Sequence, residues 1–139
     1  MKKPPLGRFA FSIVPPLTVL LAQIVRVQVL PGFHWIDNVA HFFGGFTIAW
    51  MFIIITNTLR EHSIIPHQTP KWLTDYTVWG TVGLVGIFWE FWELGMTLHY
   101  GFKMQFTITE TLGDVFFDLS GGLVFLLIYR FIKIQSCKK

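Results

Sequence analysis

Residues 36–59 read IDNVAHFFGGFTIAWMFIIITNTL, and this stretch decides the architecture. Beyond Asp37 and His41 it has no ionisable side chain, so its length and polarity suit the hydrocarbon of a bilayer. Three further stretches share that character, at roughly 9–30, 77–98 and 111–134. Around them the whole composition agrees. The 139 residues are 53% hydrophobic and 14% charged, with a mean hydropathy of +0.54. A soluble domain carries about 25% charged residues, so a water-soluble enzyme with its own globular core is excluded. The sequence predicts an all-α polytopic membrane protein: one domain, 1–139, with four transmembrane helices.

Punctuation and charge set the limits and direction of these helices. Pro15 and Pro16 predict a kink near the start of the first span. Pro31-Gly32 is a turn signal before the second. Tyr76 and Tyr100, with Trp72 and Trp79, bracket the third at headgroup level. Met1-Lys2-Lys3 before an apolar run resembles a signal peptide, but no small-residue cleavage site follows, so the first span reads as retained. The formal charge is +3, yet the cations form short clusters and no basic stripe, which argues against nucleic acid and for membrane orientation. Lys2, Lys3, Arg8, Arg60, Lys71, Arg130, Lys133, Lys138 and Lys139 fall on one side; Lys103 and Arg26 fall toward the other. The positive-inside rule then predicts a multi-pass protein of the cell membrane with both termini cytoplasmic. The lone Cys137 excludes an internal disulfide and a Cys-based zinc site.

This topology gathers the membrane acids. Arg26, Asp37, His41, Glu90, Glu93, Asp114 and Asp118 are scattered along the sequence, yet all fall roughly 3–13 Å below the outer interface at 1.5 Å per residue. Asp37 and His41 are spaced i, i+4, Glu90 and Glu93 i, i+3, and Asp114 and Asp118 i, i+4. Each pair therefore shares one helix face. Five carboxylates in a low-dielectric site require retained protons or a bound cation. Imidazole and carboxylates without thiolate suit a divalent metal such as Mg, Mn, Fe or Zn. Simpler roles compete: Asp37 as an N-cap, His41 as an interhelical hydrogen-bond partner, Arg26 as a snorkelling side chain. Glu90 and Glu93, flanked by Trp89, Phe91 and Trp92, are the hardest to assign to structure alone.

One pattern occurs twice. Asp37-x3-His41-x2-Gly44-Gly45 and Asp114-x3-Asp118-x2-Gly121-Gly122 begin 77 positions apart, and both open an inward-running span. A parallel two-helix repeat accounts for them; so does a shared need for close helix packing. Gly80, Gly83 and Gly86 read as a packing face, since no strand precedes them and no P-loop Lys follows. Between His99 and Thr109, Tyr100, Phe102, Met104 and Phe106 predict a segment at the interface. Glu110 lies on the rim of the acidic cluster, with His34 and His99 on the same side. His62 and His67 are expected to be solvated.

At Asp37-x3-His41-Phe with Gly44 and Phe46, Glu90-x2-Glu93, and Gly113-Asp114-x3-Asp118 followed by Gly121, the sequence resembles the small inner-membrane proteins of the YjdF type. More distantly it resembles VanZ-like membrane proteins, where Asn tends to stand in place of Asp118. The first resemblance implies a polytopic helical membrane protein; the second points to glycopeptide resistance and the cell envelope. Neither supplies a catalytic residue. The residues themselves predict a metal site of His41, Glu90, Glu93 and Asp118, with Glu90 and Glu93 catalytic. Asp37 and Asp114 would orient the ligands, and Arg26 would hold an anionic headgroup. The expected activity is hydrolysis or group transfer on a lipid-linked or envelope substrate, with membrane lipids as partners. Two other classes fit the same carboxylates: a cation- or proton-coupled transporter, in homodimeric form, and a non-catalytic helper subunit.

Overall fold

The computed structural model describes residues 6–29, 34–101 and 107–136. Lys2, Lys3, Pro31, Gly32, Phe102, Lys103, Met104, Phe106, Cys137, Lys138 and Lys139, each given a part above, lie outside them. The architecture is all-helical: α1 (Leu6–Val29), α2 (His34–Glu61), α3 (Lys71–Tyr100) and α4 (Ile108–Ser136). Short connections make successive helices antiparallel. We call basal the end where α1 starts and α4 finishes, and apical the opposite end.

α1 continues as a helix through Pro15 and Pro16. Each proline removes one backbone donor, a loss that membrane helices tolerate when neighbouring groups compensate. α2 ends in a Schellman motif: Ser63 N donates to Arg60 O at 2.9 Å and Ile64 N to Leu59 O at 2.9 Å, with Ser63 at φ 60°. α3 stops at Gly101, whose φ of 70° is costly for any residue with a Cβ. Thr107 caps α4, its Oγ1 accepting from Glu110 N at 3.2 Å.

Polar groups are inside and apolar ones outside. Glu93 is 1% and Glu90 5% exposed, whereas Phe88 is 70% and Leu98 72% exposed on the same helix. In water such a surface would be one large apolar patch; in lipid it is the expected arrangement. α1, α2 and α4 are each long and apolar enough to cross a membrane, over Gly7–Arg26, Trp35–Glu61 and Ile108–Ser136. α3 is as long, at 30 residues, but its buried glutamates, glycines and tryptophans lower its hydropathy.

α2 is the hub and touches all three other helices, while α1 touches α2 alone among the described residues. The tightest contact joins α2 to α4, which run parallel. A Cβ built on Gly45 would lie 1.9 Å from the Asp118 carbonyl oxygen, and one on Gly121 1.9 Å from that of Phe42. The two copies of the repeated pattern thus meet each other, backbone to backbone. Below them Ala49, Ile53, Val78, Val82, Phe125 and Leu126 form the apolar core, with Phe46 edge-on to Phe125 at 5.2 Å.

The basal end is closed by paired charges. Arg130 Nε donates to Asp75 Oδ2 at 2.8 Å, Arg60 to Thr74 Oγ1 at 3.0 Å, and Asn57 to Tyr129 OH at 3.0 Å. α3 therefore begins at Lys71, before the apolar stretch predicted from 77, because Thr74 and Asp75 belong to this network.

The glycine contact gives a direct test. Gly45→Ala should lower stability by about 2 kcal/mol or more, through overpacking against backbone. Gly80→Ala, where an added Cβ meets nothing within 4 Å, should be neutral or gain up to about 1 kcal/mol of helix propensity. Thermal unfolding in detergent measures both; equal stability of the two variants would contradict the packing described.

Candidate functional site

Because α2 and α4 cross at their glycines, the polar residues one to two turns earlier on each helix face one another at the apical end. His41 is at the centre, 5% exposed. Its Nδ1 lies 3.2 Å from Asp118 Oδ2. Its Nε2 points the other way, 3.9 Å from Asp37 Oδ1, 3.9 Å from Asp114 Oδ1 and 4.0 Å from Glu90 Oε1. These separations are too long for hydrogen bonds, and the buried Nε2 has no hydrogen-bond partner among the described residues.

The neighbours hold the surrounding groups in place. Arg26 is turned inward, not toward headgroups. Its guanidinium is 2.7 Å from Asp37 Oδ1, and its Nε donates to Gln23 Oε1 at 3.0 Å. Gln23 donates to Asp37 in turn. Glu93 Oε1 accepts from Trp89 Nε1 at 3.0 Å. Gly86 makes room for Asp118, since a Cβ there would lie 2.5 Å from Asp118 Oδ2.

All seven residues singled out by depth and spacing thus converge. Two overlapping groups place potential ligand atoms within 4.8 Å of one another: Asp37, His41 and Glu93, and His41, Glu90 and Asp114. His41 belongs to both, and Asp118 to neither. Glu110 is exposed in the capped first turn of α4, and His99 is exposed at the end of α3; neither is part of either group. Gln23 and Trp89 have roles that sequence reading had not assigned, while Gly86 packs against Asp118 on the face expected of it. The signal for Gln23 was available: it is an amide side chain inside the first apolar stretch and stands i, i+3 from Arg26.

The arrangement can bind a cation, orient an imidazole, or store protons, and it does so among helices whose outward faces are apolar. A family model described as "Predicted membrane protein (DUF2238)" matches residues 10–134. The chain belongs to this family. The match runs through all four helices and contains every residue of the cluster. It is the family of the YjdF-type resemblance; no comparison brings in a VanZ-like protein. No curated protein and no solved structure matches the chain.

Proposed function

We propose that this is a four-span membrane protein with a divalent-metal centre in the outer-leaflet half, acting on a lipid-linked or envelope substrate. One observation carries the reading: a buried imidazole nitrogen, without a hydrogen-bond partner among the described residues, is nearly equidistant from carboxylate oxygens of α2, α3 and α4. A hydrogen-bonded lock would have brought one of those oxygens to about 3 Å. Ligands on different sides of an ion at ~2.1 Å stand ~3–4 Å apart, close to the separations here.

In this reading His41 Nε2, Glu90 and Asp114 are the ligands, or His41 with Asp37 and Glu93, and the glutamate not used as a ligand stays beside the ion. Asp118, expected above as a ligand, takes Nδ1 and fixes the ring, as carboxylates behind ligating histidines do. Asp114 takes over the ligand role. Arg26 offsets the charge of Asp37 instead of holding a headgroup. A mixed imidazole and carboxylate set favours Mn, Fe or Zn over Mg. A metal in such a site supplies an activated water or a Lewis acid for hydrolysis or group transfer, with Glu90 or Glu93 as the adjacent base. The apolar core separates this cluster from the basal polar network, which favours a centre over a transport path.

The same structure supports reading all four helices as spans. α3 exposes Leu84, Phe88, Phe91 and Leu98 and keeps both glutamates inside, so its lipid-facing side is as apolar as those of its neighbours. Arg8, Arg60, Lys71, Arg130 and Lys133 are basal, whereas the apical Arg26 is consumed by Asp37, so the basal end is cytoplasmic by the positive-inside rule.

Two measurements test these statements. Protein purified without chelators should hold about one Mn, Fe or Zn per chain, because buried ligands of this kind bind tightly. Asp114→Asn and Glu90→Gln should lose it, and Asp118→Asn should bind about 10–100-fold more weakly. Unchanged metal content in a folded Asp114→Asn, or no uptake of added Mn²⁺ or Zn²⁺ by the wild type, would refute the centre. In a Cys137→Ser background, a cysteine at Ser63 should react only from the cytoplasm and one at Thr109 only from outside. Labelling of both from one side would exclude α3 as a span.

A further inference from the structure

The apical cluster has an approach from the side. Among the described residues α1 packs on α2 alone, and a groove of about 330 Å³ opens between α1 and α3, with α2 as its floor. Leu17, Leu20, Ile48, Met51 and Val85 make its walls apolar. Its polar lining is confined to the apical end, where Gln23, His41, Trp89 and Asp118 meet it. Gly44, Gly45 and Gly86 also line it. Side chains at these positions would stand between the groove and Asp118, whose carboxylate lies 3.5 Å from a Cβ built on Gly44.

Dimensions and polarity select the occupant. On α1 the groove runs from Ile13 to Gln23, ~15 Å at 1.5 Å per residue. That is half of the ~30 Å hydrocarbon core, the depth of one leaflet. The volume is within the ~300–1,000 Å³ of small-molecule sites. α2, at 28 residues, is ~42 Å long; centred on that core it would overhang by ~6 Å at each end, which would put His41 a few ångströms inside the hydrocarbon edge, where a lipid's chains join its head.

We propose that the groove is a chain-binding site. It takes one acyl chain of a lipid from the leaflet that adjoins the cluster and presents the linkage between chain and head to His41 and Asp118. The chemistry at that linkage rests on the metal-centre reading above, but the seating of the chain does not. The substrate class is then a membrane amphiphile that enters sideways from the bilayer, between Leu17 of α1 and Val85 of α3, both exposed to lipid.

The test is photo-crosslinking of the full-length protein in phosphatidylcholine–phosphatidylglycerol vesicles that contain a phosphatidylcholine with a diazirine in its acyl chain. Adducts should concentrate on Leu17, Leu20, Ile48 and Val85, about tenfold above those on the lipid-facing Phe116 and Leu127 of α4, a difference of ~1.4 kcal/mol in occupancy. Leu20→Trp or Ile48→Trp should abolish that excess, and Leu127→Trp should leave it, with thermal transitions confirming that each variant is folded. Equal labelling of groove and α4 face, or an excess that survives both groove-filling variants, would overturn the proposal. So would preferential labelling by an isoprenoid-chain probe. The same experiment on Glu90→Gln/Asp114→Asn separates the two readings. Groove adducts retained without metal binding support the chain site on its own; groove adducts absent from the wild type reject it whatever the metal analysis gives.

Discussion

The close approach of α2 and α4 is the constraint on which the apical end depends, because a Cβ on Gly45 or Gly121 would penetrate the facing backbone. Within lipid there is no hydrophobic gain in bringing two helices together, so association relies on van der Waals packing and polar contacts. Small residues allow both at once here. They let two parallel helices cross at equivalent points of a repeated pattern, which sets His41 of one copy against Asp114 and Asp118 of the other. α3 adds its glutamates by laying Gly86 against Asp118, and α1 adds Arg26 by packing on α2. Substitution at the crossing would therefore move the imidazole relative to all its neighbours.

The two ends of the bundle solve the burial of charge differently. At the basal end carboxylate meets guanidinium directly, as in Asp75 with Arg130 and, more exposed, Glu61 with Arg8. Such pairs hold helices in register and need nothing further. At the apical end five carboxyl groups share one guanidinium and one imidazole. Arg26 pairs closely with Asp37 and His41 with Asp118, so acidic groups outnumber cationic ones among the described residues of the cluster. Excess of one sign in a low-dielectric setting is costly unless a cation or protons compensate it. The basal network is a clamp, and the apical one has the composition of a site.

Much of this was legible in the sequence, because membrane topology converts position into depth. Asp37, Glu90 and Asp114 are far apart in the chain, yet alternating helix direction at 1.5 Å per residue puts them at one level, and i, i+3 or i, i+4 spacing puts each pair on one face. The roles within the cluster were not legible. Which imidazole nitrogen Asp118 takes depends on the rotation of α4 about its axis, which the glycine contact fixes and spacing alone does not. Arg26 could not be read as an internal partner of Asp37 without knowing that Gln23 turns the same face of α1 inward. The lateral groove was equally hidden, since it exists only because α1 touches one neighbour and not three. The extension of α3 back to Lys71 escaped for a related reason: hydropathy marks the lipid-facing length of a helix and not the polar turn that Asp75 anchors.

If His41 Nε2 is directed at a metal ion, as proposed, that one bond can be measured. Protein with ¹⁵N-histidine, loaded with Mn²⁺, can be measured by electron spin-echo modulation, which detects nitrogen bonded to the ion. One directly coordinated imidazole nitrogen is expected, absent from folded His41→Gln. A Mn²⁺ spectrum without nitrogen coupling, or with coupling unchanged in His41→Gln, would contradict it.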